Sequence, residues 1–327
     1  MRQNNFFLMF LKILFFSAIL VSTSSARAEL KVVTTIKPLH SMIANVMDGV
    51  GEPALIIEGS TSPHSFTLKP SHAKLLEEAD IIFWIGEGIE TFMERPLESI
   101  VKNAEVVEFM EIESINKLKF REESIFEDHD DHDDHSDHDD HDDHDDHDDH
   151  SDHDDHGHAH GEFDPHIWLD PMNAKEMVHE IAHELGNLDP ANKDKYEANA
   201  KTTIQVLDQL VNDIDKGINK DAKFVVFHDA YQYFEERFGV RAAGALTLNT
   251  DVLPGAKQIG DIQDVIKDRG IKCIFSEPQF NPKIITTIAE DMNIKTGVFD
   301  PLGANIDSNK SLYFKLITNL GDELKGC

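Results

Sequence analysis

The sequence predicts an α/β protein of two lobes, each a mostly parallel sheet with helices on both faces. One long rigid helix joins the lobes, and the first carries a disordered His/Asp-rich insertion. Three observations predict this. Short β-branched runs alternate with helical ones on both sides of the chain's middle, the pattern of parallel sheets with helical crossovers. Between the two sets, residues 191–216 contain neither glycine nor proline, so one helix can run unbroken there. From Asp128 to His160 the chain repeats DHDDH with Ala159 as its one apolar residue; such a stretch cannot bury a core and predicts a disordered loop.

Taken in order, the chain opens with Arg2, an apolar stretch over 6–21 interrupted by Lys12, and the small-residue site Ala26-Arg27-Ala28. This predicts a cleaved secretory signal peptide over 1–28 and an exported chain beginning near Glu29; the stretch is short for a membrane anchor and carries a lysine. The first lobe, 29–189, is expected to hold strands at 30–36, 54–57, 81–85 (IIFWI) and 105–109, with helices at 39–47, 70–78 and 89–102. Asp170 caps a helix whose first position is Pro171 and which runs to 185. The connecting helix occupies 190–220, starting at Pro190. The second lobe, 221–327, is expected to have strands at 224–227, 242–246, 273–276 and 296–299, with helices at 231–238, 255–269, 282–292 and 312–324.

The formal charge of −32 is extreme, but seventeen aspartates of the run supply over half of it. The moderately acidic remainder excludes a nucleic-acid partner, which would call for a basic face. Two cysteines, Cys273 and Cys327, in an oxidising compartment predict a disulfide, with two free thiols as the alternative.

The run holds twelve of the nineteen histidines: His129, His132, His135, His138, His141, His144, His147, His150, His153, His156, His158 and His160. Imidazole and carboxylate are the donors that borderline divalent ions prefer, zinc foremost. Outside the run, His64 lies in a loop after a strand, His166 between prolines, His228 at the end of FVVFH and Asp300 at the end of GVFD. Ligands of open α/β sheets bind beyond the carboxyl ends of strands. Two residues from each lobe there would give three imidazoles and an optional carboxylate, a credible zinc set with one open or water-filled position.

On SPHSFTLKPSHAKLLEEADIIFWIG, FDPHIWLDP, FVVFHDAYQYFEERFG, IFSEPQF and FDPLG, the chain resembles the zinc-specific periplasmic solute-binding proteins of ABC transporters. The resemblance implies a periplasmic, monomeric, non-enzymatic receptor that delivers Zn2+ to an inner-membrane permease. It implies His64, His166 and His228 as ligands, with Asp300 matching a carboxylate of manganese-binding relatives. Those relatives carry a glutamate where His228 stands, so the three imidazoles favour zinc over manganese. Some zinc members have a glutamate before the first histidine; here it is Pro63, which leaves water or Asp300 as fourth ligand. The family's disulfide matches Cys273 and Cys327. The implied fold is two four-stranded lobes, and Glu277 and Trp168 are candidate supports of the site.

Two other readings compete. His179-Glu180-Ile181-Ala182-His183 fits the H-E-x-x-H pattern of zinc proteases, with Asp189 as a possible third ligand. However, Ala174, Met177, Val178, Ile181, Ala182 and Leu185 form the helix's apolar stripe, which turns the two histidines and Glu180 toward water. The run alone would suit a periplasmic zinc buffer or chaperone without a transporter.

Overall fold

Two four-stranded sheets, parallel throughout, organise the chain. The structure, a computed structural model, describes residues 29–126, 161–248, 250 and 253–327. The expected signal peptide (1–28) and the His/Asp-rich run (128–160) lie outside the described residues. The first sheet holds β1 (Val32–Thr34), β2 (Ala54–Leu55), β3 (Ile81–Trp84) and β4 (Glu105–Glu108) in the order β2-β1-β3-β4. The second holds β5 (Phe224–His228), β6 (Ala245–Thr247), β7 (Cys273–Ser276) and β8 (Lys295–Val298) in the order β6-β5-β7-β8. Each strand expected from the sequence is present, and the crossovers carry the helices.

The run FVVFH reads as continuously apolar because β5 is buried along its whole length, as a central parallel strand covered on both faces must be. Alternate side chains go to opposite faces. Val225 and Phe227, with Leu246 and Ile274, pack beneath α7 (Ala256–Asp268) and α8 (Lys283–Met292). Phe224, Val226, Ala245, Cys273 and Phe275 face a larger core that also takes in β1 and β3. Both halves of the chain contribute to that core.

α1 (Lys37–Val46) follows β1, and α2 (Pro70–Glu78) precedes β3. Sequence pattern extends one helix over 89–102; the structure has instead a 3-10 turn, Thr91–Met93, and the short α3 (Glu94–Ser99). Pro96 has no N–H to give a carbonyl one turn back, so it is tolerated in the first turn of α3 and not in the interior of a longer helix. α4 (Pro171–Leu188) opens as expected: the Asp170 carboxylate accepts the Met172 N–H at 2.8 Å, and Pro171 takes the first position. α5 (Lys193–Gly217) starts three residues later than the sequence suggests. The Asn192 N–H and side-chain amide both donate to Asp189, and this turn, not Pro190, begins the helix. α5 lies against α4, α1 and α9 (Leu312–Leu324).

Polar ties cross between the halves. Lys37 Nζ donates to the carbonyls of Gly303, Ala304 and Ile306 at 2.7, 3.1 and 2.6 Å. Trp168 Nε1 donates to Pro301 O, and Tyr313 OH to Trp168 O. Arg237, on α6 (Gln232–Phe238), forks onto the Asp170 carboxylate at 2.6 and 2.7 Å, the bidentate geometry that suits guanidinium. Cys273 and Cys327 form the expected disulfide across 54 residues, worth about 4 kcal/mol in the chain-entropy account.

Candidate metal centre

Three histidines that are far apart in sequence meet where both sheets end. His228 is the last residue of β5. His166 immediately precedes the 3-10 turn Ile167–Leu169 that leads into α4. His64 sits in the 3-10 turn Pro63–Ser65 after β2, where Pro63 favours the turn's first position. Their ring centroids are 5.6 Å (His64–His166), 5.7 Å (His64–His228) and 5.0 Å (His166–His228) apart.

One ligand atom from each lies within 4.8 Å of the other two, and among the described residues no other group of three or more His, Cys, Asp or Glu does so. Two nitrogens on a tetrahedral zinc stand about 3.4 Å apart, from zinc–nitrogen bonds of about 2.0–2.1 Å, so small ring movements would complete the grip. The cavity they share has about 10 Å3 of room for the centre of a water-sized body. That is space for one ion and too little for an organic ligand.

The hydrogen bonds behind the rings fix their orientation. His166 Nδ1 lies 2.6 Å from Asp164 Oδ1, and the same oxygen accepts the His166 backbone N–H. The other Asp164 oxygen accepts Gln232 Nε2 at 2.6 Å, and the Asp164 carbonyl accepts the Tyr233 hydroxyl. His228 Nδ1 lies 2.9 Å from Glu277 Oε1. A carboxylate only accepts, so each Nδ1 carries the hydrogen and each Nε2 keeps its lone pair for a metal.

The Nε2 atoms of His64 and His228 are buried without any hydrogen-bond partner. A buried polar atom left unpaired costs about 1–3 kcal/mol, so both stand ready for a ligand.

Electrostatics separate the rings. Burial, reinforced by the neighbouring imidazoles of His166 and His228, holds His64 well below its ordinary value. Burial also pushes His228 down, but the charge and hydrogen bond of Glu277, with the charges of Asp229 and Asp164, outweigh this and leave His228 raised. Beside it, burial drives the Asp229 carboxyl up to about 7 against the pull of Arg121, whose guanidinium bonds Asp229 at 2.8 Å and Glu235 at 2.6 Å.

The other residues singled out from sequence fall as follows. Asp300 is outside the three-histidine group. Its carboxylate accepts Gln279 Nε2 at 3.0 Å and the N–H groups of Leu302 and Ala304 at 3.2 and 2.6 Å. Glu277 and Trp168 both line the cavity.

His179 and His183 are exposed on α4 while Ile181, Ala182 and Leu185 are buried, as the apolar stripe requires; His183 Nε2 contacts Asn187 at 3.1 Å. Asp189 is buried and accepts Asn192 and Tyr196. The twelve histidines of the run lie outside the described residues.

Sequence reasoning missed Asp164, Gln232 and Gln279. The signal for Asp164 was present, a carboxylate two residues before a candidate ligand in FDPH. Gln232 meets Asp164 across 68 positions, and no local pattern marks such a contact.

Comparison with known proteins bears on this geometry. The family model described as zinc-uptake complex component A, periplasmic, matches residues 32–327. The high-affinity zinc uptake system protein ZnuA of Brucella abortus is 48% identical over 303 residues, covering 90% of this chain and 91% of that one. The protein of the same name from Yersinia pestis is 32% identical over 313 residues, with 95% of each covered. A crystal structure of ZnuA superimposes with a TM-score of 0.69 at 22% identity, covering 90% of this chain and 98% of that chain.

Proposed function

The chain belongs to the periplasmic zinc-uptake component A family, the zinc-binding receptors of ABC importers, and we propose that it holds its ion on the Nε2 atoms of His64, His166 and His228. The observation that carries this reading is the meeting of three imidazoles from both halves, two with buried and unpartnered Nε2 atoms. Hydrated zinc exchanges its waters for the three nitrogens, while Asp164 and Glu277 hold the opposite ring edges. Neutral imidazoles suit zinc; manganese binds oxygen by preference and lies lower on the divalent series. The role is receptor rather than enzyme: a monomer, exported by the segment 1–28, passes zinc to the permease.

The run from Asp128 to His160 serves as an accessory that concentrates zinc near the protein by charge and by weak imidazole ligation. The lobes are assigned as 29–189 and 221–327, with 190–220 as the connector. That connector restricts hinge opening, so zinc leaves by local movement of the loops around His64 and His166.

Zinc titration in competition with a chelator tests the assignment. Wild type should show one tight site plus weaker ones. Deleting 128–160 should remove weak stoichiometry and keep the tight site. His64→Ala, His166→Ala and His228→Ala should each abolish tight binding. Tight binding that survives the His228→Ala change, or is lost with the run, would overturn the assignment.

A further inference from the structure

Resting on the three-histidine reading, the geometry points to a fourth donor: we propose that the side-chain amide oxygen of Gln279 completes the zinc site and that Asp300 is its positioning residue. Gln279 follows β7 in the stretch Glu277-Pro278-Gln279-Phe280, and it lines the same small cavity as the three histidines. Its two amide ends have different surroundings. Nε2 donates to Asp300 Oδ1 at 3.0 Å.

An ionised carboxylate can only accept, so the amide cannot be turned the other way without setting oxygen against oxygen. Asp300 is itself immobilised: Oδ1 also takes the Leu302 N–H and Oδ2 the Ala304 N–H. The turn it caps is held in place by Trp168 on Pro301 O and by Lys37 on the carbonyls of Gly303 and Ala304.

The other end of the amide, Oε1, is buried and has no hydrogen-bond partner. Three residues of the cavity lining therefore carry a buried side-chain atom without a partner: Nε2 of His64, Nε2 of His228 and Oε1 of Gln279. Buried polar atoms without partners each call for an explanation, a bound ion among them. With room for about one water-sized centre, the occupant proposed for all three is the ion itself, and not an ion plus a bound water. The resulting set of three imidazoles and one amide oxygen is uncharged, and its four donors suit a tetrahedral zinc site. Asp300 contributes without touching the metal. Its carboxylate is kept in the second half's own turn, which withholds the hard anionic oxygen that manganese would favour.

Cobalt(II), a paramagnetic stand-in for zinc, gives the test. The full chain is loaded with cobalt in ordinary and in oxygen-17-enriched water, and its low-temperature electron paramagnetic resonance is compared. Wild type should show no broadening in the enriched water, because no water is bound to the metal. Gln279→Leu should show broadening, as water takes the vacated position, with zinc affinity lowered about 10- to 100-fold. Asp300→Ala should weaken zinc in the same direction, and the double variant should bind no more weakly than Gln279→Leu alone. Gln279→Glu keeps an oxygen at that place and guards against a merely misfolded leucine variant; it should bind cobalt without broadening. Oxygen-17 broadening in wild type, or a Gln279→Leu affinity within about twofold of wild type, refutes the fourth donor while leaving the three histidines standing. Cobalt binding that is indifferent to His64→Ala refutes the three-histidine reading itself, and the fourth donor falls with it.

Discussion

Replacing Glu277 by glutamine separates the two things this carboxylate does. It lies 2.9 Å from His228 Nδ1, with side-chain exposures of 1% for Glu277 and 4% for His228, so the contact is fully desolvated. An amide can donate to Nδ1 as readily as accept from it, and the tautomer that presents a bare Nε2 to the metal is no longer enforced. Loss of such a partner costs about 10- to 100-fold in metal affinity, or about 1.4–2.7 kcal/mol. The second effect is on protons. In wild type the charge and hydrogen bond of Glu277, together with the charges of Asp229 and Asp164, outweigh burial and leave His228 above its ordinary 6.5; in the variant the Glu277 share is lost and the value falls.

The sign follows from linkage. A proton held more tightly in the apo fold than in the unfolded chain stabilises the apo fold below pH 6.5, and this stabilisation is lost as pH rises through the folded value. At the proposed site zinc competes with that proton for Nε2. As pH is lowered, wild-type affinity should therefore start to fall while the pH is still above 6.5, by up to tenfold per pH unit for each proton displaced. The Glu277→Gln protein should bind more weakly at pH 8 but begin its acid loss later, so the two curves converge toward acid. His64 is held well below its ordinary value by burial and the neighbouring imidazoles, so its proton competes at lower pH than that of His228. Chelator competition from pH 5.5 to 8 reads both effects. Parallel curves, or equal affinity at pH 8, would refute the reasoning.

Three further outcomes are expected. Cys273→Ser with Cys327→Ser should destabilise the protein by up to about 4 kcal/mol in denaturant titration, because the bridge closes 54 residues. Lys37→Met should destabilise by about 1–3 kcal/mol for each carbonyl that finds no other donor, since Gly303, Ala304 and Ile306 all bond its ammonium; unchanged denaturation midpoints would show that water replaces it freely. Small-angle scattering of apo and zinc-loaded protein should give nearly the same radius of gyration, given the polar ties between the halves; a large compaction on zinc binding would show that the halves hinge.

Much of this protein could be read from its sequence, because local chemistry writes the relevant signals. Buried parallel strands announce themselves as unbroken apolar runs, as FVVFH and IIFWI do. Asp170-Pro171 marks a helix start by its missing N–H and its capping oxygen, and the alternation of strands and helices gives the two parallel sheets. Three histidines at strand ends or in loops could be picked out because sheets of this kind place ligands there. The limits have the same origin. The helix expected over 89–102 begins only at Glu94, which puts Pro96 in its first turn, where the missing backbone donor is tolerated, and the start of α5 is set by bonds between Asn192 and Asp189.

What only the tertiary structure decided is which groups meet. Asp164 with Gln232, His228 with Glu277, and Gln279 with Asp300 are pairs 68, 49 and 21 positions apart. A hydrogen bond depends on distance and direction, and sequence fixes neither across such separations. The residue types that could hold zinc were legible in the chain; the side chains that orient them, and the place of Asp300 outside the three-histidine group, follow from how the two sheets pack together.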